Sequence, residues 1–109
     1  MADALTSPDW VGGVRHLAEM LLTYRESPEW NPMLLLGHLR ELPERAAFKR
    51  LGFLTETVLP DERAIVKAAL AERSAGVVRL DPAPRIRGKL NKRWGLWVNV
   101  SLAEFARST

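Results

Sequence analysis

With 109 residues, 47% of them hydrophobic and 27% charged, the chain has the length and composition of one ordinary globular domain, able to bury a core without covalent staples. It contains no cysteine, which excludes disulfides and thiolate metal sites, and no apolar run approaches the ~20 residues of a membrane span. The net charge of +3 is unevenly placed: residues 1–60 carry −2 and residues 61–109 carry +5, an asymmetry that points to nucleic acid or an acidic protein surface as partner of the C-terminal half.

The opening MADALTSPDW has no basic region followed by an apolar one, so a cytoplasmic location is expected. Ser7-Pro8-Asp9 carries a helix-start signal: a capping hydroxyl, a proline that loses no donor at the first turn, and an acid at the positive end of the dipole. The spacing of Trp10, Val14, Leu17, Leu21 and Tyr24 predicts a first helix running to Tyr24. Gly12 and Gly13 weaken its first turn, which suggests a close neighbour or a frayed end. Asn31-Pro32 repeats the cap-then-proline signal and opens a second helix through Leu34, Leu35, Leu36, Leu39 and Leu42. His38 within it, and His16 before it, lack partners at ligand or catalytic spacings and read as packed or surface histidines.

Pro43-Glu44 starts a third helix whose apolar face is Ala47, Phe48, Leu51, Leu54, Thr55 and Val58, with Arg45, Lys49 and Glu56 on the other side. Lys49-Arg50 therefore reads as part of a solvated face, and mid-helix Gly52 as a place of close packing. Leu59-Pro60-Asp61 leads into a fourth helix carrying Ile65, Val66, Ala69 and Leu70. Val77–Leu80 reads as a short strand halted by Pro82 and Pro84, and Trp94–Val100 alternates with period two. Ser101-Leu102-Ala103-Glu104 fits a capping box for a last helix with Leu102, Phe105 and Ala106. The expected class is α+β and mainly helical: four helices, a C-terminal two-stranded β-hairpin with a long arm, and a short C-terminal helix, in a single domain of residues 1–109.

Function is expected in the arm of residues 81–93. Arg85, Arg87, Lys89, Lys92 and Arg93 lie there with no acid among them. Trp97 reads either as an exposed anchor for a protein or a base, or as a ring packed beneath a helix. Asp81 before Pro82 is expected to stabilise a turn. No phosphate loop, HExxH or GxSxG is present, so a non-enzymatic protein without a cofactor or catalytic residues is expected.

Two segments together carry a resemblance. Ala47 to Glu56 (AFKRLGFLTE), then Leu80-Asp81-Pro82, Gly88 and Arg93 to Asn99 (RWGLWVN), resemble in order and spacing the C-terminal domain of AbiEi-type antitoxins, of type IV toxin–antitoxin systems. The resemblance spans about residues 40–100. It implies an antitoxin domain that helps neutralise a nucleotidyltransferase-like toxin. In that family a winged-helix domain binds the operon's promoter; here residues 1–42 read as part of the same helical domain and hold no basic recognition helix, so DNA binding through such a module is not carried over. The alternative is a nucleic-acid-binding regulator that grips DNA or RNA phosphates through Arg85 to Arg93.

Overall fold

Prolines and glycines set the boundaries of the helices in the computed structural model, which describes residues 1–106. Helix α1 spans Ala2–Thr6 and is followed by a 3-10 turn, Pro8–Val11; α2 spans Val14–Glu26, α3 Pro32–Glu41, α4 Ala46–Val58 and α5 Arg63–Glu72. Three short strands follow, β1 Val78–Arg79, β2 Lys89–Asn91 and β3 Leu96–Val98, and α6 spans Ala103–Ala106. The protein is thus α+β and mainly helical. The placement expected for the Ala106 side chain lies outside the described residues.

The first helix differs from expectation. Gly12 and Gly13 take φ of 92° and 105°, a left-handed backbone that interrupts the helix, so Pro8–Val11 is a separate turn and α2 begins at Val14. Ser7 makes no side-chain cap, and Trp10, expected on the apolar face, is 74% exposed. In α3 the signal holds: the Asn31 side chain accepts a hydrogen bond from the Leu34 amide at 3.0 Å, with Pro32 in the first turn. Ser101 accepts from the Ala103 amide ahead of α6.

The core draws on Leu5 of α1, Leu17 and Leu21 of α2, Leu39 of α3, Phe48, Leu51 and Leu54 of α4, Ile65 of α5, and Trp94 and Leu96 near the sheet. All ten are 2% exposed or less, so α4, which supplies three of them, is the central element. Arg40 and Arg45 reach Glu72, and Arg25 reaches Asp61 and Glu62, tying α5 and the turn before it to the neighbouring helices.

The sheet has three strands rather than two, in the order β1-β3-β2. β1 runs parallel to β3, pairing Val78 with Leu96 and Arg79 with Trp97. The hairpin partner of β3 is β2, which lies inside the basic arm and pairs Lys89 with Val98, Leu90 with Trp97 and Asn91 with Leu96. Trp94, expected in a strand, sits in the turn between β2 and β3, where the Gly95 amide donates to the Asn91 carbonyl at 2.9 Å.

Candidate functional site

The strand that leads into the arm is held by residues of α4 that sequence spacing places on a solvated face. Lys49 and Arg50 are buried, at 1% and 5% exposure, and each satisfies backbone carbonyls that no strand pairing reaches. Lys49 Nζ donates to the carbonyls of Gly76 (2.8 Å) and Ala75 (3.3 Å) just before β1. Burial pulls its pKa below the ordinary lysine value, and the charges of Arg73 and Arg50 add to that. Arg50 donates through Nε to Leu80, through Nη1 to Leu5 and Thr6, and through Nη2 to Arg79, at 2.9–3.1 Å. One planar guanidinium therefore closes the C-terminal end of α1 onto the end of β1.

Gly52 and Trp94 form the second clasp. A Cβ on Gly52 would lie 2.1 Å from the Trp94 ring, so the glycine makes room for the indole rather than for another helix. The indole Nε1 donates to Glu56 at 2.9 Å, and Arg93 forks onto the same carboxylate at 2.6–3.1 Å while lying 5.5 Å from the Trp94 ring centre. Burial raises the Glu56 carboxyl pKa, but the hydrogen bonds from Arg93 and Trp94, with the Arg93 charge, outweigh it and hold the pKa below the usual range.

The third clasp fixes the start of the arm. Asp81 Oδ2 accepts from the Val14 amide at 3.1 Å and so caps α2 from 67 residues away, while Oδ1 accepts from the Ala83 amide at 3.2 Å and makes the expected turn. Asn99 returns the contact: its Oδ1 accepts from the Asp81 amide at 3.0 Å, and its Nδ2 donates to Asp81 (2.7 Å) and Ile86 (3.2 Å). Gly88, at φ 74°, passes so close to β3 that a Cβ would meet the Val98 carbonyl oxygen at 2.0 Å.

On this frame the expected binding residues separate. Arg87 and Trp97 come together: the guanidinium lies 5.0 Å from the centre of the half-buried indole. Pairing of Arg79, Trp97 and Leu90 across the three strands puts them in one row on the face away from the core, joining two residues that the charge pattern did not single out. Lys89 pairs with Val98 and stands exposed on the opposite face, Lys92 is exposed in the turn, and Arg85 is exposed beside Ile86. Arg93 is neutralised by Glu56, an acid that spacing alone does not bring near the arm. Among the described residues, Arg79, Arg85, Arg87, Lys89 and Lys92 form no ion pair. The result is Trp97 and Leu90 on the outer face beside Arg79 and Arg87.

No protein-family model, curated protein or solved structure matches the chain. No helix among the described residues is long and apolar enough to cross a membrane.

Proposed function

We propose that this chain is a non-enzymatic regulatory domain of the antitoxin kind, part of a type IV toxin–antitoxin system, and that it contacts a nucleotidyltransferase-like toxin through its outer sheet face and basic arm. The observation that carries this reading is the row Arg79–Trp97–Leu90 with Arg87 over the indole, an aromatic and aliphatic pair beside two arginines without ion pairs among the described residues. Such a surface suits an acidic protein patch with an apolar centre: the ring supplies a desolvated anchor and the cations steer the encounter. The resemblance supplies the partner's identity. The segments that carry it touch one another: Gly52 and Glu56 receive Trp94 and Arg93, and Arg50 donates to the carbonyl of Leu80.

A second reading, direct binding of nucleic acid, is favoured by the unpaired cations of the arm. It is the weaker of the two because no groove-reading helix among the described residues sets a register on a duplex. The test is co-expression with a nucleotidyltransferase-like toxin encoded beside this chain, in which growth arrest is expected to be relieved. Arrest that persists with the chain folded and abundant would overturn the antitoxin reading. Submicromolar duplex binding that is lost in Arg85→Ala with Arg87→Ala would promote the nucleic-acid reading in its place.

A further inference from the structure

Helices α2 and α3 leave between them a groove of about 630 Å³, lined by apolar Ala2, Met20, Leu34 and Leu35. Its other lining residues include Glu19, Glu29, His16 and His38. The acidic side chains that line it are Glu19 and Glu29, with Met1 also at its wall. The arginines of α2 are engaged elsewhere, Arg25 with Asp61 and Glu62 and Arg15 with Glu104. Among the described residues Glu29 forms no ion pair, and Glu19 has only the His16 imidazole at 3.9 Å, a charged partner solely when protonated. The groove is therefore an apolar slot bordered by unpaired carboxylates.

The arm carries the complementary shape. Ile86 is 66% exposed and lies between Arg85 and Arg87, both exposed and without ion pairs among the described residues. It is also presented rigidly: its carbonyl accepts from Asn99, Arg87 is stacked on Trp97, and Gly88 is pressed against β3. A pre-ordered segment loses little entropy on docking, which is what makes a short contact effective.

We propose that the arm of one copy of this chain inserts Ile86 into the α2–α3 groove of a second copy, with Arg85 and Arg87 set against Glu19 and Glu29. An apolar knob between two bases matches an apolar slot beside two acids, and both halves of the match are present in every molecule. Each copy carries both knob and slot, so the contact made twice about a two-fold axis is isologous and closes a dimer. This inference does not rest on the antitoxin reading, although Arg87 belongs to both surfaces: its test reads self-association of the chain alone.

The test is sedimentation of the full chain over a concentration series at low and high salt. The wild type is expected to associate reversibly and less tightly as salt rises. Ile86→Glu should weaken association by about tenfold or more, because it sets a carboxylate in an apolar slot beside two others. Two charge reversals make the result decisive: Arg85→Glu with Arg87→Glu in one variant, Glu19→Arg with Glu29→Arg in the other. Each alone meets like charge at the contact and should be monomeric, whereas an equal mixture should associate as the wild type does, since both contacts are then again of opposite sign. A wild type that stays monomeric to about millimolar concentration, association that survives the reversals, or a mixture that fails to associate would each overturn the proposal.

Discussion

At Gly52 the absence of a side chain makes room for an indole, not for another helix. The Trp94 indole fills the space a Cβ would take, and it is pinned at Nε1 by Glu56, so it cannot swing aside. Gly52→Ala gains helix propensity worth about 1 kcal/mol but is expected to lose about 1–3 kcal/mol net through overpacking, read as a lower denaturation midpoint. A raised midpoint would contradict the clasp. Arg50 is the second residue on which the fold turns. Replacing it with Met leaves four carbonyls without their donor and should cost about 2–4 kcal/mol; Arg50→Lys, with three donors and no planar fork, should recover part of that. Equal stability of all three proteins in a urea titration would show that the guanidinium is dispensable.

Between elements, ion pairs join α2 to the start of α5, α3 to the end of α5, and α4 to the arm. The carboxyls of Asp61, Glu72 and Glu56 are each held below their usual pKa; Arg25 and Arg40 are the main cause for the first two, and for Glu56 the bonds from Arg93 and Trp94 overcome burial. A carboxyl whose folded pKa is depressed binds fewer protons folded than unfolded, so its contribution is complete above the usual carboxylate range and is lost as pH falls through the folded values. Stability is therefore expected to decline on acidification, and less steeply in Arg93→Gln, where Glu56 lacks its cation; identical pH profiles would contradict the Glu56–Arg93 link. Helices α3, α4 and α5 were legible because their apolar spacing and the Asn31-Pro32 cap are local signals, whereas α1 and the break at Gly12-Gly13 were not. The sheet was less so. Period two over Trp94–Val100 marks a buried face correctly at Trp94 and Leu96, but it cannot tell a strand from a turn that delivers one ring to a gap in α4. Nor does it disclose that β1 pairs in parallel or that the arm contains β2.

For the molecule as a whole, the division of charge between a net −2 half and a net +5 half survives folding as a surface property, because the exposed arm keeps its cations while Arg93 alone among those singled out is quenched. The charge run was therefore readable, and the burial of Lys49 and Arg50 was not: their carbonyl partners come from α1 and the β1 region, distant in sequence, and a helical wheel assigns them to solvent. If phosphates were the main target, each contact would add about −0.9 to the slope of log K against log salt. The chain is expected to bind duplex DNA only weakly, and Arg85→Ala with Arg87→Ala to reduce that binding modestly, since no groove-reading helix sets a register. A tight complex with a steep slope would contradict this.

The most direct measurement sets the outer face against the frame that supports it. Trp97→Ala with Arg79→Ala removes two members of the cross-strand row and should leave stability within about 1 kcal/mol of the wild type, the scale of cross-strand pairs. Relief of toxin-induced growth arrest is then compared for wild type and variant at matched levels of folded protein. The outer-face reading predicts that the variant folds and fails to relieve arrest. Full relief by the folded variant would show that the working surface lies elsewhere.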